Sequence, residues 1–169
     1  RDDEAMRQTA QSLTQSIKTD HADTAYAVFA AMQMAKVAVD ADDLDKAQAE
    51  LEWALGKVEE PHLESIIRTR LARALLAKDG ATAAMSRLIN HEPEPAQMAT
   101  YEEVKGDAYV QLGDLQNARE SYQKAIEHLG GIRKPVLELK LADIPQPSGG
   151  VAAPVEETES GSDAETEAN

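Results

Sequence analysis

A chain of 169 residues with 31 acidic against 17 basic side chains carries a formal charge of −14. That balance excludes a nucleic-acid backbone as partner and disfavours an anionic membrane surface, because both are bound through clustered Lys and Arg. The absence of cysteine excludes disulfides, thiolate metal sites and Cys nucleophiles.

One Phe, one Trp and four Tyr leave most of the core to Ala and Leu, a combination that packs helices better than sheets. The chain begins at Arg1 without a methionine, so this reading expects the native N-terminus to lie upstream and leaves a signal or membrane anchor there open. Residues 5–18 place Met6, Leu13 and Ile17 near one face of a helix. The longest apolar run, AYAVFAAMQMAKVAV, is too short to span a bilayer and carries Lys36.

From Asp23 to Leu129 helical periodicity is broken only by short polar turns near 41–43, 79–80 and 113–114. Pro61 suits a first helical turn, Pro93 and Pro95 mark a loop, and Gly130-Gly131 stops a helix. The segment PVLELKLADI supplies a last short amphipathic helix. From Pro145 the chain holds six acidic residues, no basic ones and two valines. Such a stretch cannot offset its ordering entropy, so 145–169 is expected to be a disordered acidic tail, read as a solubilising end with an acidic interaction tail as the alternative.

The stretch DADDLDKAQAELEWAL (40–55) returns 71 residues later as QLGDLQNARESYQKAI (111–126). Aligned on their central alanine, Ala47, Ala84 and Ala118 are spaced 37 and 34 apart, and 34 is the period of tetratricopeptide helix–turn–helix repeats. Gly106, Tyr109, Ala118, Tyr122 and Ala125 occupy the small, aromatic, alanine, aromatic and alanine positions of that motif. Ala35, Ala38, Ala47, Leu51 and Ala54 fill them in the first unit. The middle unit offers Ala72, Leu75, Ala84 and Leu88, then departs with His91.

Small residues at these positions let paired helices approach, so the repeat reads as a packing instruction. The expectation is an all-α, right-handed solenoid of about seven or eight helices over 1–144. Its units are about 28–60, 65–95 and 99–130, with an N-terminal helix and a C-terminal capping helix.

No catalytic constellation is visible. His21, His62, His91 and His128 are scattered, and neither a G-x-S-x-G motif nor a phosphate-binding glycine loop is present. Trp53 reads as packing. No enzyme activity, cofactor or metal is expected.

A concave strip formed by the first helix of each unit is the candidate partner site. The register assigns to it Phe29, Met32, Lys36 and Val39, then Ile66, Thr69, Arg73 and Leu76, then Glu103, Asp107 and Val110. Apolar residues with cations at one end and acids at the other suit an extended or helical protein segment.

RLARALL and KGDAYVQLGD, within a text running from His21 to Ile144, resemble the C-terminal domain of YfgM-like proteins. That resemblance implies a bacterial inner-membrane protein anchored by one helix before Arg1, with this domain in the periplasm. It implies an ancillary SecYEG translocon subunit, associated with the chaperone PpiD and passing on nascent secreted chains. The family brings no catalytic residues, and the acidic tail lies outside its shared pattern. Two alternatives stand beside it: a scaffold of another envelope complex, and a cytoplasmic cochaperone domain. The latter's carboxylate clamp would call for Asn where Lys36, Arg73 and Asp107 stand.

Overall fold

The computed structural model describes residues 2–145, and its helices follow from recognisable start and stop signals. α1 (Asp2–Asp20) leads into α2 (Ala25–Asp40), whose N-cap Thr24 accepts a hydrogen bond from the Ala27 amide. Asp43 caps α3 (Leu44–Leu55) by accepting from Lys46 N at 3.1 Å. Glu60 and Pro61 open α4 (Pro61–Lys78). Then come α5 (Ala81–Leu88), a 3₁₀ turn (Pro95–Gln97) and α6 (Met98–Leu112). Asp114 caps α7 (Leu115–His128), and Pro135 opens α8 (Pro135–Asp143). The described residues thus form eight α-helices and no strand, an all-α tetratricopeptide-like array.

The repeated stretch makes the same turn twice. Asp43 N bonds Ala38 O and Asp114 N bonds Tyr109 O, each at 2.9 Å, closing the helix end with a six-residue loop. The residue before each aspartate is left-handed: Gly113 at φ 77° and Asp42 at φ 59°. Glycine adopts that conformation freely, whereas aspartate there is strained.

α2 pairs with α3, α4 with α5, and α6 with α7. Ala47, Ala84 and Ala118 are fully buried at these contacts. Gly106 shows how close the approach is, since a Cβ there would lie 2.3 Å from Tyr122 Cε1. The main core runs through α2–α6 and is made chiefly of Ala and Leu, with Ile67, Tyr101 and Val104. A second cluster joins Ala118, Tyr122 and Ala125 to Leu137 and Ile144 of the last helix and its end.

His91 departs from the repeat for a local reason. α5 stops at Leu88, so position 91 lies in the loop beyond it. The Tyr101 hydroxyl donates to Leu88 O (2.7 Å) and His91 O (3.1 Å), sealing the short helix. The His91 ring sits 3.1 Å from Ser65 Oγ. Burial, with Arg68 nearby, pushes its pKa below the ordinary histidine value.

Among the described residues no helix is long and apolar enough to cross a membrane. The expected disorder of the acidic tail falls on 146–169, outside the described residues.

Candidate partner-binding groove

Between α2 and α4, with α3 as floor, lies an open cleft of about 350 Å³. Met32, Ala35 and Val39 form one wall, Ala74 and Ala77 the other, and Leu44 and Leu51 the base. Lys36, Arg70 and Arg73 stand around it. The cleft therefore combines an apolar interior with a cationic rim on a strongly acidic protein. Apolar contact supplies binding energy in such a site, and charge selects the partner and its orientation.

The cleft exists because the terminal helix lands elsewhere. α1 packs on the opposite face of α2, where residues of α1, Met34, Lys46 and Glu50 line a separate polar cleft. Lys18 fastens it there. Its Nζ lies 2.9 Å from Glu50 Oε2 and 4.5 Å from the centre of the Trp53 ring. Trp53 is partly buried against the core, as a packing residue.

The eleven strip residues do not share one environment. Phe29 is 54% exposed, Val39 47% and Val110 43%. Met32 is buried, yet lines the cleft. Lys36 is exposed and bonds Asp40 at 2.7 Å, one turn along its own helix. Arg73 is half-exposed and reaches Glu103 at 3.2 Å. Ile66 and Leu76 are partly buried against the core.

Two strip assignments are corrected. Thr69 is buried, its hydroxyl donating to Ser65 O at 2.8 Å. It lies two turns before Leu76 on the same edge of α4, and Leu76 packs on the cluster of Ala81 and Met85 of α5 with Ala108 of α6. That edge faces a neighbouring helix rather than the cleft.

Glu103 is also buried, because α8 folds over it. It accepts from Lys134 and, at 3.1 Å, from Lys140, besides Arg73. Burial alone would raise its pKa, but the hydrogen bonds from Lys134 and Lys140 outweigh that and hold it below the usual carboxylate range. Asp107 is partly buried and tied to Lys140 at 2.7 Å, and it accepts from the Tyr122 hydroxyl at 2.7 Å. Burial, then the bond to Asp107, push the Tyr122 phenol up. The acidic end of the strip is therefore a clasp for α8. The positions a carboxylate clamp would use are likewise engaged within the chain, Lys36 by Asp40, Arg73 by Glu103 and Asp107 by Lys140.

The register missed Arg70 and the floor residues Leu44 and Leu51. Arg70 lies three residues before Arg73 and so shares its edge of α4, a signal present in the sequence. The floor belongs to a second helix, which a strip drawn from first helices leaves out. Among the described residues no group of three or more His, Asp or Glu side chains could hold a metal.

Comparison with known proteins adds to this geometry. A protein of Aggregatibacter actinomycetemcomitans named ancillary SecYEG translocon subunit is 28% identical over 135 residues, covering 80% of this chain and 65% of that protein. Its namesake in Escherichia coli K12 is 29% identical over 102 residues, covering 60% and 49%. A third, from Haemophilus influenzae, is 30% identical over 123 residues, covering 72% and 59%.

The chain thus spans about half to two-thirds of the length of these curated relatives. Their shared name bears out the resemblance carried by RLARALL and KGDAYVQLGD. No solved structure matches the chain. A profile described as a tetratricopeptide repeat-like domain matches residues 1–146, the whole of the helical array, and the chain belongs to that family.

Proposed function

We propose that this chain is the protein-holding, non-catalytic domain of a membrane-anchored ancillary subunit of the SecYEG translocon. In this reading residues 1–144 form the repeat array and face the periplasm of a bacterial inner membrane. The array links secreted chains to a periplasmic chaperone such as PpiD. The observation that carries the proposal is the open α2–α4 cleft, apolar within and cationic at its rim. The relatives' shared name points to the translocon as the place where it works. Fold alone would not carry that step.

The test is co-purification from detergent-solubilised membranes, using the protein with its native N-terminal region. The parent is expected to recover translocon subunits and a periplasmic chaperone. Val39→Ser on the cleft wall, with Phe29→Ser on the exposed surface of α2 about one turn before Met32, removes two exposed apolar side chains without opening the core. It should cut recovery roughly tenfold, the effect of losing about 1.4 kcal/mol of contact. Recovery of neither partner by the parent would overturn the proposal, and equal recovery by a folded double variant would remove the cleft from it.

A further inference from the structure

The polar cleft on the opposite face of α2, between α1 and α3, has a volume of about 390 Å³. We propose that it holds an extended segment of a partner polypeptide by its main chain, with an acidic side chain of that segment on Lys46. This site is separate from the α2–α4 cleft and does not rest on the translocon reading.

Unused hydrogen-bonding groups are the first argument. Thr9 and Thr19 of α1 each donate to the carbonyl four residues back, at 2.9 and 2.8 Å. Thr14, between them, is only 9% exposed, yet its hydroxyl makes no hydrogen bond among the described residues. The opening that this hydroxyl keeps is to the cleft that Thr14 lines. A polar group so nearly buried without a partner costs free energy that a ligand can recover. The Ser12 hydroxyl and the Gln11 carboxamide, in the same lining, also have no partner among the described residues. Gln15 engages only its Nε2, on Thr19 at 3.5 Å, and its Oε1 stays open.

Charge is the second. Lys46 is partly buried at the cleft and forms no ion pair among the described residues. Glu50, the carboxylate of the lining, is already held by Lys18 at 2.9 Å. The cleft thus keeps an unneutralised cation on a protein of net charge −14, and it selects a carboxylate.

Spacing is the third. A carboxamide donates and accepts at once, so it pairs with both the C=O and the N–H of one residue. Gln11 and Gln15 stand four residues apart, about 6 Å along α1. Alternate residues of an extended strand repeat at about 6.5–7 Å, so the two carboxamides meet every second residue of a strand laid along the helix. From Gln8 to Gln15 the lining covers about 10 Å, the length of three extended residues. Among the described residues that line it, Met34 alone is apolar and none is aromatic. A sugar or a nucleobase would therefore find no ring to stack on.

The probe is a blocked peptide, acetyl-SGTETGS-amide, which has no large side chain for the apolar α2–α4 cleft. Titrated into the isotope-labelled 169-residue chain, it should shift the side-chain amide signals of Gln11 and Gln15 and the backbone amide of Lys46. The amides of Val39 and Ala77, on the other cleft, should stay still. The expected dissociation constant is on the order of a millimolar, the yield of a few hydrogen bonds. Lys46→Ala should weaken binding about two- to fivefold, as for a partly exposed ion pair. Thr14→Val should weaken it while leaving the melting temperature unchanged or higher, whereas loss of a hydroxyl that serves the fold would lower it. N-methylation of alternate peptide residues should abolish the shifts, because it removes main-chain donors. Undiminished binding of the N-methylated peptide, or shifts confined to the α2–α4 cleft, would overturn the proposal. So would no shift at ~10 mM peptide, about tenfold above the expected constant. Equal shifts from sodium gluconate would also overturn it, assigning the cleft to a small polyhydroxy acid. None of these readings involves the translocon, so either proposal can fail alone.

Discussion

Gly106→Ala tests the packing logic at its tightest point. The added Cβ would lie 2.3 Å and 2.4 Å from Tyr122 Cε1 and Cδ1, where carbon atoms ordinarily rest 3.5–4.0 Å apart. The ring must therefore retreat by more than about 1 Å, the difference between those separations. It has little room, being 2% exposed and tied through its hydroxyl to Asp107 at 2.7 Å. Overpacking costs about 1–3 kcal/mol. Loss of the bond to a carboxylate adds about 1.5–3 kcal/mol, and the better helix propensity of alanine returns about 1 kcal/mol. The net expectation is about 1.5–5 kcal/mol lost, read as a lower urea midpoint by circular dichroism. In a Tyr122→Leu background the same change should be neutral or mildly stabilising, because the ring it strikes is gone. A Gly106→Ala protein as stable as the parent, or an equal cost in both backgrounds, would refute the reasoning.

Asp42→Gly should stabilise the chain by about 0.5–1 kcal/mol, since glycine relieves a positive φ that its counterpart Gly113 already accommodates; thermal melting checks it. Lys18→Ala removes both the Glu50 ion pair and the cation over Trp53, so α1 should detach locally, with faster amide exchange and altered Trp53 fluorescence while α4–α7 stay protected. Glu103 has a folded pKa below its ordinary value near 4.5. Its contribution is therefore complete above that value and lost as pH falls through the folded one. Protection of α8 amides should drop in that acidic window, and Glu103→Gln should flatten the dependence.

The fold was legible because its instructions are local. Small residues at the hairpin contacts, the doubled Leu-x₂-Ala sentence and the turn aspartates all act within about one repeat. Ala47, Ala84 and Ala118 are buried as that reading expects. His91 was flagged as a departure, but the short α5 that causes it depends on Tyr101 reaching back across the loop. The site was less legible because it depends on where the end helices dock. α1 could have covered Phe29 and Val39 and instead lies behind α2, held by Lys18. α8 covers Glu103 through Lys134 and Lys140, residues more than 30 positions away. Helical periodicity contains no term for either landing.

Photo-crosslinking in native membranes from the protein with its native N-terminal region tests the central claim most directly. A photoreactive residue at Val39 or Ala77 looks into the cleft, and one at Gln123 lies on an exposed site of α7. The account predicts adducts with translocon subunits or a periplasmic chaperone from the first two positions and not from the third. Adducts equally abundant from all three, or none with any envelope protein, would contradict it.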